Sequence, residues 1–319
     1  DGMCCPYSLL RVKLKEGNNL MRKYAIPNMR LGATSFLLHE TYVPAVRFAA
    51  ERCDDVALLL VEPGERNEYL ATPGEIAEIG RIIAGEGVTL HVHLPTDADF
   101  DTREGARAMI GKIRRVAELT GPLAPHSFVL HVDFPSLHGT GGEPSAEQQE
   151  WTAEALREIA ACLPAPERLA VENLETYAPS FWDRWLAGTP YSRCLDVGHI
   201  WKDGGDPAPV LAAWLPRVRV IHLHGLEPRG SEADTAKPQG QQGAPEKQAE
   251  RNLARLFGPR PRDHKSLRLM PPEFVDDVMH PLWKTGFSGV LNLEVFSVED
   301  FTASHAVLMQ SWERYAASS

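Results

Sequence analysis

From Met29 onward, short β-branched or leucine-rich runs alternate with longer stretches whose apolar residues recur at helical spacing. That is the pattern of strands joined by crossover helices in a parallel sheet. Eight runs read as strands: Arg30 to Ser35, Val56 to Val61, Thr89 to His93, Phe128 to His131, Leu169 to Glu172, Cys194 to Asp196, Val218 to His222 and Val290 to Glu294. Between them, Pro73 to Ala84, Arg103 to Leu119 and Ser145 to Cys162 read as amphipathic helices. Thr72 followed by Pro73 is an N-cap with proline at the first helical position, and Ser145 stands likewise before AEQQE. Eight such units predict closure into a single (β/α)8 barrel, the TIM barrel, over residues 29–319. Residues 1–28 show no clear period and are expected to form a poorly structured extension. One stretch breaks the rhythm. Gly225 to Arg262 is rich in Gly, Pro, Gln and charge and too long for an ordinary loop, with Glu227 to Gly243 reading as flexible and Pro245 to Phe257 as a short helix.

Composition narrows the function. With 43% hydrophobic and 24% charged residues in 319, there is material for one large buried core. The formal net charge of -10 argues against a nucleic-acid backbone as main partner, since that needs clustered Lys and Arg. Five cysteines, Cys4, Cys5, Cys53, Cys162 and Cys194, are odd in number and mostly scattered, which fits reduced thiols better than a disulfide framework. No apolar run is long enough to span a bilayer, so the expected address is cytoplasmic, with no membrane partner.

The strand endings carry the chemistry, because the C-terminal ends of barrel strands ring one mouth where active sites are built. Strand three ends in HVHLP with His91 and His93, four in LHVD with His131, and five in VEN with Glu172. Six ends in LDVGH with Asp196 and His199, seven in IHLHG with His222 and His224, and eight in NLEVF with Glu294. A lone strand histidine is usually a hydrogen-bonded core residue, but here six consecutive strands deliver a donor to one rim. Three carboxylates brought together repel one another unless a cation offsets them. Mixed imidazole and carboxylate donors suit Zn, Mn or Fe(II), and more than four donors imply two or three ions. In HVH and in HLH both histidines share a strand face. His93 and His222 are expected to be ligands, His91 a packed or supporting residue, and His224 a supporting residue or substrate contact. His264, in RDHKSL, completes the set.

This series, His93, His131, VEN, D-x-x-H, the HL after strand seven, H-x-S-L and Glu294, resembles the xylose-isomerase-like barrel superfamily, especially its AP endonucleases with three zinc ions. Where that pattern has an Asp two residues before the His of H-x-S-L, this chain has Arg262, with Asp263 next to it. A closer resemblance, spread from Met29 to Leu308 through RLGATSF, HVHLP, LDVGH, VIHLHG, RDHKSL and LEVFSVEDF, is to the cobamide-remodelling phosphodiesterases of that superfamily.

The resemblance implies a metal-dependent hydrolase that cuts the nucleotide-loop phosphodiester of a small-molecule corrinoid and leaves a cobinamide phosphate. It implies metal ligands at His93, His131, Glu172, Asp196, His199, His222, His264 and Glu294, with two or three Zn or Mn ions, and it makes Glu172, Glu294 and His264 the catalytic candidates. Arg262 is expected to clamp a phosphate oxygen, as a bidentate donor can, with His224 beside it. Two other enzymes remain open: a sugar isomerase or epimerase with one ion on Glu172, Asp196, His222 and Glu294, and an AP endonuclease acting on DNA. The His93 and His131 pair weighs against the first, the acidic balance against the second. A non-catalytic metal-binding barrel is a fourth reading.

Overall fold

The computed structural model describes residues 23–38, 40–60, 70–228, 256–258 and 261–318. Eight parallel strands close into a barrel: β1 (Arg30–Thr34), β2 (Asp55–Leu59), β3 (Thr89–His93), β4 (Phe128–His131), β5 (Leu169–Glu172), β6 (Ser192–Asp196), β7 (Val218–Leu223) and β10 (Val290–Leu293). β1 closes the ring against β10 with Arg30 opposite Val290. The outer layer is α1 (Tyr42–Ala50), α2 (Pro73–Glu86), α3 (Arg103–Thr120), α4 (Ala146–Ala161), α5 (Pro179–Leu186), α6 (Val197–Lys202), α7 (Pro207–Trp214), α8 (Pro272–Thr285) and α9 (Val298–Ser318). Both expected caps form. Thr72 and Ser145 each accept a hydrogen bond from the N–H three residues on, and Glu75 and Gln148 return one to the cap backbone.

The eight barrel strands match the sequence reading to within two residues at each end. Two short strands were not foreseen: β8 (Gly225–Glu227) and β9 (Arg262–Lys265) pair antiparallel and bracket the long insertion. Gly225 permits this approach, since a Cβ there would lie 2.3 Å from the Ser266 carbonyl oxygen. Residues 229–255, with the expected flexible segment and most of the expected helix, lie outside the described residues. The packed chain also begins before Met29. Tyr24 and Ile26 are buried, Ile26 bridges to Met29, and the Tyr24 ring meets Phe301 edge-on.

Helices and sheet share one extensive apolar core, while a small separate cluster, Val129, Ala170, Cys194 and Val220, fills part of the lumen. Each of these four lies two residues before a rim donor (His131, Glu172, Asp196 and His222), so the strand alternation turns both sets inward. On the opposite wall the lumen is polar. Asp55, His91 and Asn292 are buried on β2, β3 and β10. Among the described residues no helix is long and apolar enough to cross a membrane.

Candidate metal centre

Glu172 is the hub of the mouth. It is 1% exposed, and its two oxygens face different donors. Oε1 is 2.9 Å from His222 Nδ1, whereas Oε2 is 3.0 Å from His131 Nε2 and 3.3 Å from His93 Nε2. His222 Nδ1 is also 3.0 Å from Glu294 Oε2. The His93 Nδ1–H donates to the Leu94 carbonyl at 2.9 Å, which leaves Nε2 free to ligate. Strand register produces this closeness, since His131 is the partner of Glu172 on β4 and β5, and Asp196 that of His222 on β6 and β7.

Asp196 shows what the D-x-x-H spacing does. As N-cap of α6, its Oδ1 accepts the His199 N–H at 2.6 Å, while Oδ2 is fully buried with no hydrogen-bond partner. That orphaned oxygen, 3.8 Å from His222 Nδ1, is one a cation would satisfy. Asn173 of VEN grips the same turn, donating to the Asp196 carbonyl at 2.8 Å and accepting its N–H at 2.9 Å. Gly198 is required because a Cβ there would fall 2.0 Å from the His224 ring.

Across the mouth, His199, His224 and His264 form a second group whose ligand atoms lie within 4.8 Å of one another. His199 Nδ1–H donates to the Asn173 carbonyl at 2.9 Å and His264 Nδ1–H to the Glu294 carbonyl at 3.1 Å, freeing both Nε2 atoms. His264 holds a left-handed backbone (φ 52°), a strained conformation for a non-glycine residue. His224, taken from sequence as a supporting residue or substrate contact, is fully buried as a member of this group, with Nε2 3.4 Å from Asp196 Oδ1.

Arg262 is not brought in. Its side chain is 61% exposed and pairs at 3.5 Å with Glu227, because β8 and β9 place those two residues opposite each other. The fixed cation near the second group is Lys202, which the sequence reading missed. It binds Glu175 at 2.7 Å and also pairs with Asp263, and Glu175 Oε2 lies 3.4 Å from His199 Nε2. Lys202 follows His199 by three residues and Glu175 follows Glu172 by three, but neither interval is distinctive without the fold. A cavity of about 410 Å³, lined in part by Tyr177, Trp182, Trp214 and Asp203, lies beside His199.

The electrostatics fit a bound cation. Burial opposes ionisation of Glu172, yet His222 and His131 hold it well below the usual carboxylate range. Burial likewise opposes Glu294, and His222 outweighs it. Against burial, His222 is raised by Cys194, Glu294 and Glu172, and His93 by Glu172 and Glu294. Carboxylates that stay charged when buried, set against imidazoles, form a donor set that a divalent cation would also satisfy. With one thiol, Cys194, beside His222 and otherwise N and O donors, the set fits a divalent transition metal.

The family model for the xylose isomerase-like TIM barrel matches residues 47–315. No curated protein matches the chain. Among solved structures, a D-tagatose 3-epimerase-like protein aligns at 17% identity and TM-score 0.63, over 91% of this chain and 99% of its own. An L-ribulose 3-epimerase aligns at 13% identity and TM-score 0.59, over 91% and 98%. A xylose isomerase-like barrel protein from Mycobacterium smegmatis, solved in complex with magnesium, aligns at 12% identity and TM-score 0.57, over 88% and 97%. At these identities the likeness is one of fold.

Proposed function

The chain belongs to the xylose isomerase-like TIM barrel family, and from that premise we propose that it is a metal-dependent phosphodiesterase whose substrate is the nucleotide-loop phosphodiester of a cobamide. The observation that carries a two-ion site is Glu172, with His222 on one oxygen and His131 and His93 on the other. A carboxylate with imidazoles at both oxygens is placed to be shared between two ions, and a single-ion site has no use for the His93 and His131 pair.

On this reading Asp196, His222 and Glu294 would hold one ion and His93 and His131 the other, with Glu172 contributing to both. Ions held there would supply charge to offset the phosphodiester oxygens and would acidify a water molecule. His199 donates to a phosphate oxygen from a protonated Nε2, with His264 beside it. Burial opposes protonation of His199, but Asp196 and Glu175 raise it to about 9, so it meets an anion as a cation. Lys202 keeps Glu175 and Asp263 engaged, which blunts their repulsion of the phosphate. The reaction adds water across one P–O bond and leaves the phosphate on cobinamide.

The solved structures lean toward a second reading, a sugar isomerase or epimerase with one ion. Glu172 and Glu294 converge within 3.0 Å of His222 Nδ1, and with Asp196 they form a compact single-ion set flanked by two glutamates able to move protons. What it leaves without a role is the His93 and His131 pair.

One experiment separates them. Protein loaded with Zn or Mn is incubated with adenosylcobalamin and, in parallel, with a panel of ketohexoses. Release of cobinamide phosphate is the expected result. Epimerised sugar without cobinamide phosphate would overturn the phosphodiesterase in favour of the second reading.

A further inference from the structure

Below the rim, the polar wall of the lumen holds a buried network that the reaction does not use. Asp55, at the start of β2 and fully buried, lies with Oδ1 2.5 Å from His91 Nδ1. Its Oδ2 accepts from Thr89 Oγ1–H at 2.5 Å and lies 2.9 Å from His126 Nε2. Burial opposes ionisation of Asp55, but His91 and His126 hold it well below its ordinary value, so it is the acceptor and His91 Nδ1–H the donor. A neutral imidazole that donates from Nδ1 has a bare lone pair on Nε2. His91 Nε2 is fully buried and finds no partner.

The same holds for the nitrogen of His222 that faces away from the carboxylates. Its Nδ1 is turned to Glu172 and Glu294, and its Nε2 is buried without a partner. The His91 and His222 rings stand 6.3 Å apart at 36°. Asn292, the register partner of His222 on β10, adds a third orphaned atom, Oδ1. Buried polar atoms without partners are costly, and polar sites of this kind hold ordered water.

We infer that Asp55 and His91 are positioning residues for the metal ligand His222. Asp55 fixes the proton of His91 on Nδ1, and His91 Nε2 then accepts, through one water trapped in the lumen, from the Nε2–H of His222. That keeps the proton on Nε2 and leaves Nδ1, the atom beside Glu172 and Glu294, bare for the ion. Partners on the far nitrogen of a ligating histidine set its tautomer and typically change metal affinity 10–100-fold. The inference rests on His222 being a metal ligand, not on the identity of the substrate.

The test uses the full chain and Zn(II) alone. Nitrogen-15 histidine spectra of the Zn-loaded wild type should show His222 protonated on Nε2 and bound through Nδ1. By competition with a chelator, Asp55→Asn should weaken Zn binding about 10–100-fold. His91→Leu, which removes the acceptor, should lose the same factor, and His91→Gln, whose amide oxygen stands near the place of Nε2, should recover most of it. Circular dichroism verifies the fold of each variant. The inference is overturned if His222 carries its proton on Nδ1 in the loaded wild type, or if folded His91→Leu binds Zn as tightly as wild type. It is also overturned if His91→Gln and His91→Leu lose affinity equally, which is the mark of packing alone. None of these readouts depends on phosphodiester hydrolysis, so failure of the substrate reading is scored separately.

Discussion

The two donor groups at the mouth use the same residue types and opposite charge balances. Around Glu172, two buried carboxylates (Glu172 and Asp196) and the partly exposed Glu294 converge with His93, His131 and His222. Around His199, His224 and His264 the donors are imidazoles, and the nearby carboxylates, Glu175 and Asp263, are already held by Lys202. On the proposed reading the carboxylate-rich first group holds cations, whereas the imidazole-rich second group, with its carboxylates engaged, faces the substrate's anion. On that reading, one barrel mouth divides metal binding from anion binding.

The strongest way to break this division is Glu172→Gln. Removing the bridging charge should cut turnover on the order of 10³-fold or more and lower bound metal by at least one equivalent, measured by elemental analysis of folded protein. If metal content and turnover stay near wild type, Glu172 is not a bridge and the first group is a hydrogen-bonded cluster.

A smaller effect sharpens it. His264→Ala should reduce kcat/KM about 10–100-fold, chiefly through KM, with metal content unchanged, because the second group binds the phosphate. Loss of one metal equivalent would instead assign a third ion to His199, His224 and His264.

The smallest effect tests the electrostatics beside His199. Desolvation by the groups packed around it raises the carboxyl of Asp203, though the residue is partly exposed, from 3.8 to about 6. A carboxyl raised on folding favours the folded state most while it is protonated, and that contribution is lost as pH rises from about 4 through about 6. Asp203→Asn, which keeps an acceptor for the Thr176 N–H, should therefore raise Tm by about 1–3 °C at pH 7 and leave it unchanged at pH 4. An equal shift at both pH values would remove the charge from the explanation.

Strand identity, barrel closure and the rim donors were legible in the chain because hydrophobic period and strand-end position are local properties. Each of His93, His131, Glu172, Asp196, His222 and Glu294 closes or immediately follows an apolar run, and closure alone then brings them to one mouth. His199 and the helix cap at Asp196 were equally readable, since D-x-x-H sets both within one turn. The roles of Arg262, His224, Lys202 and Asp55 were not. Arg262 was assigned by charge, but the pairing of β8 with β9 sends it to Glu227. His224 was set apart from His222 by two residues of sequence, yet its side chain joins His199 and His264. Lys202 and Asp55 contact residues 27, 61, 36 and 71 positions away. The sequence by itself determined which side chains reach the rim, because alternation along a strand is periodic and needs no partner. Only the tertiary structure decided which of them meet, because contact across a closed barrel depends on register and stagger between strands, and no local pattern encodes either.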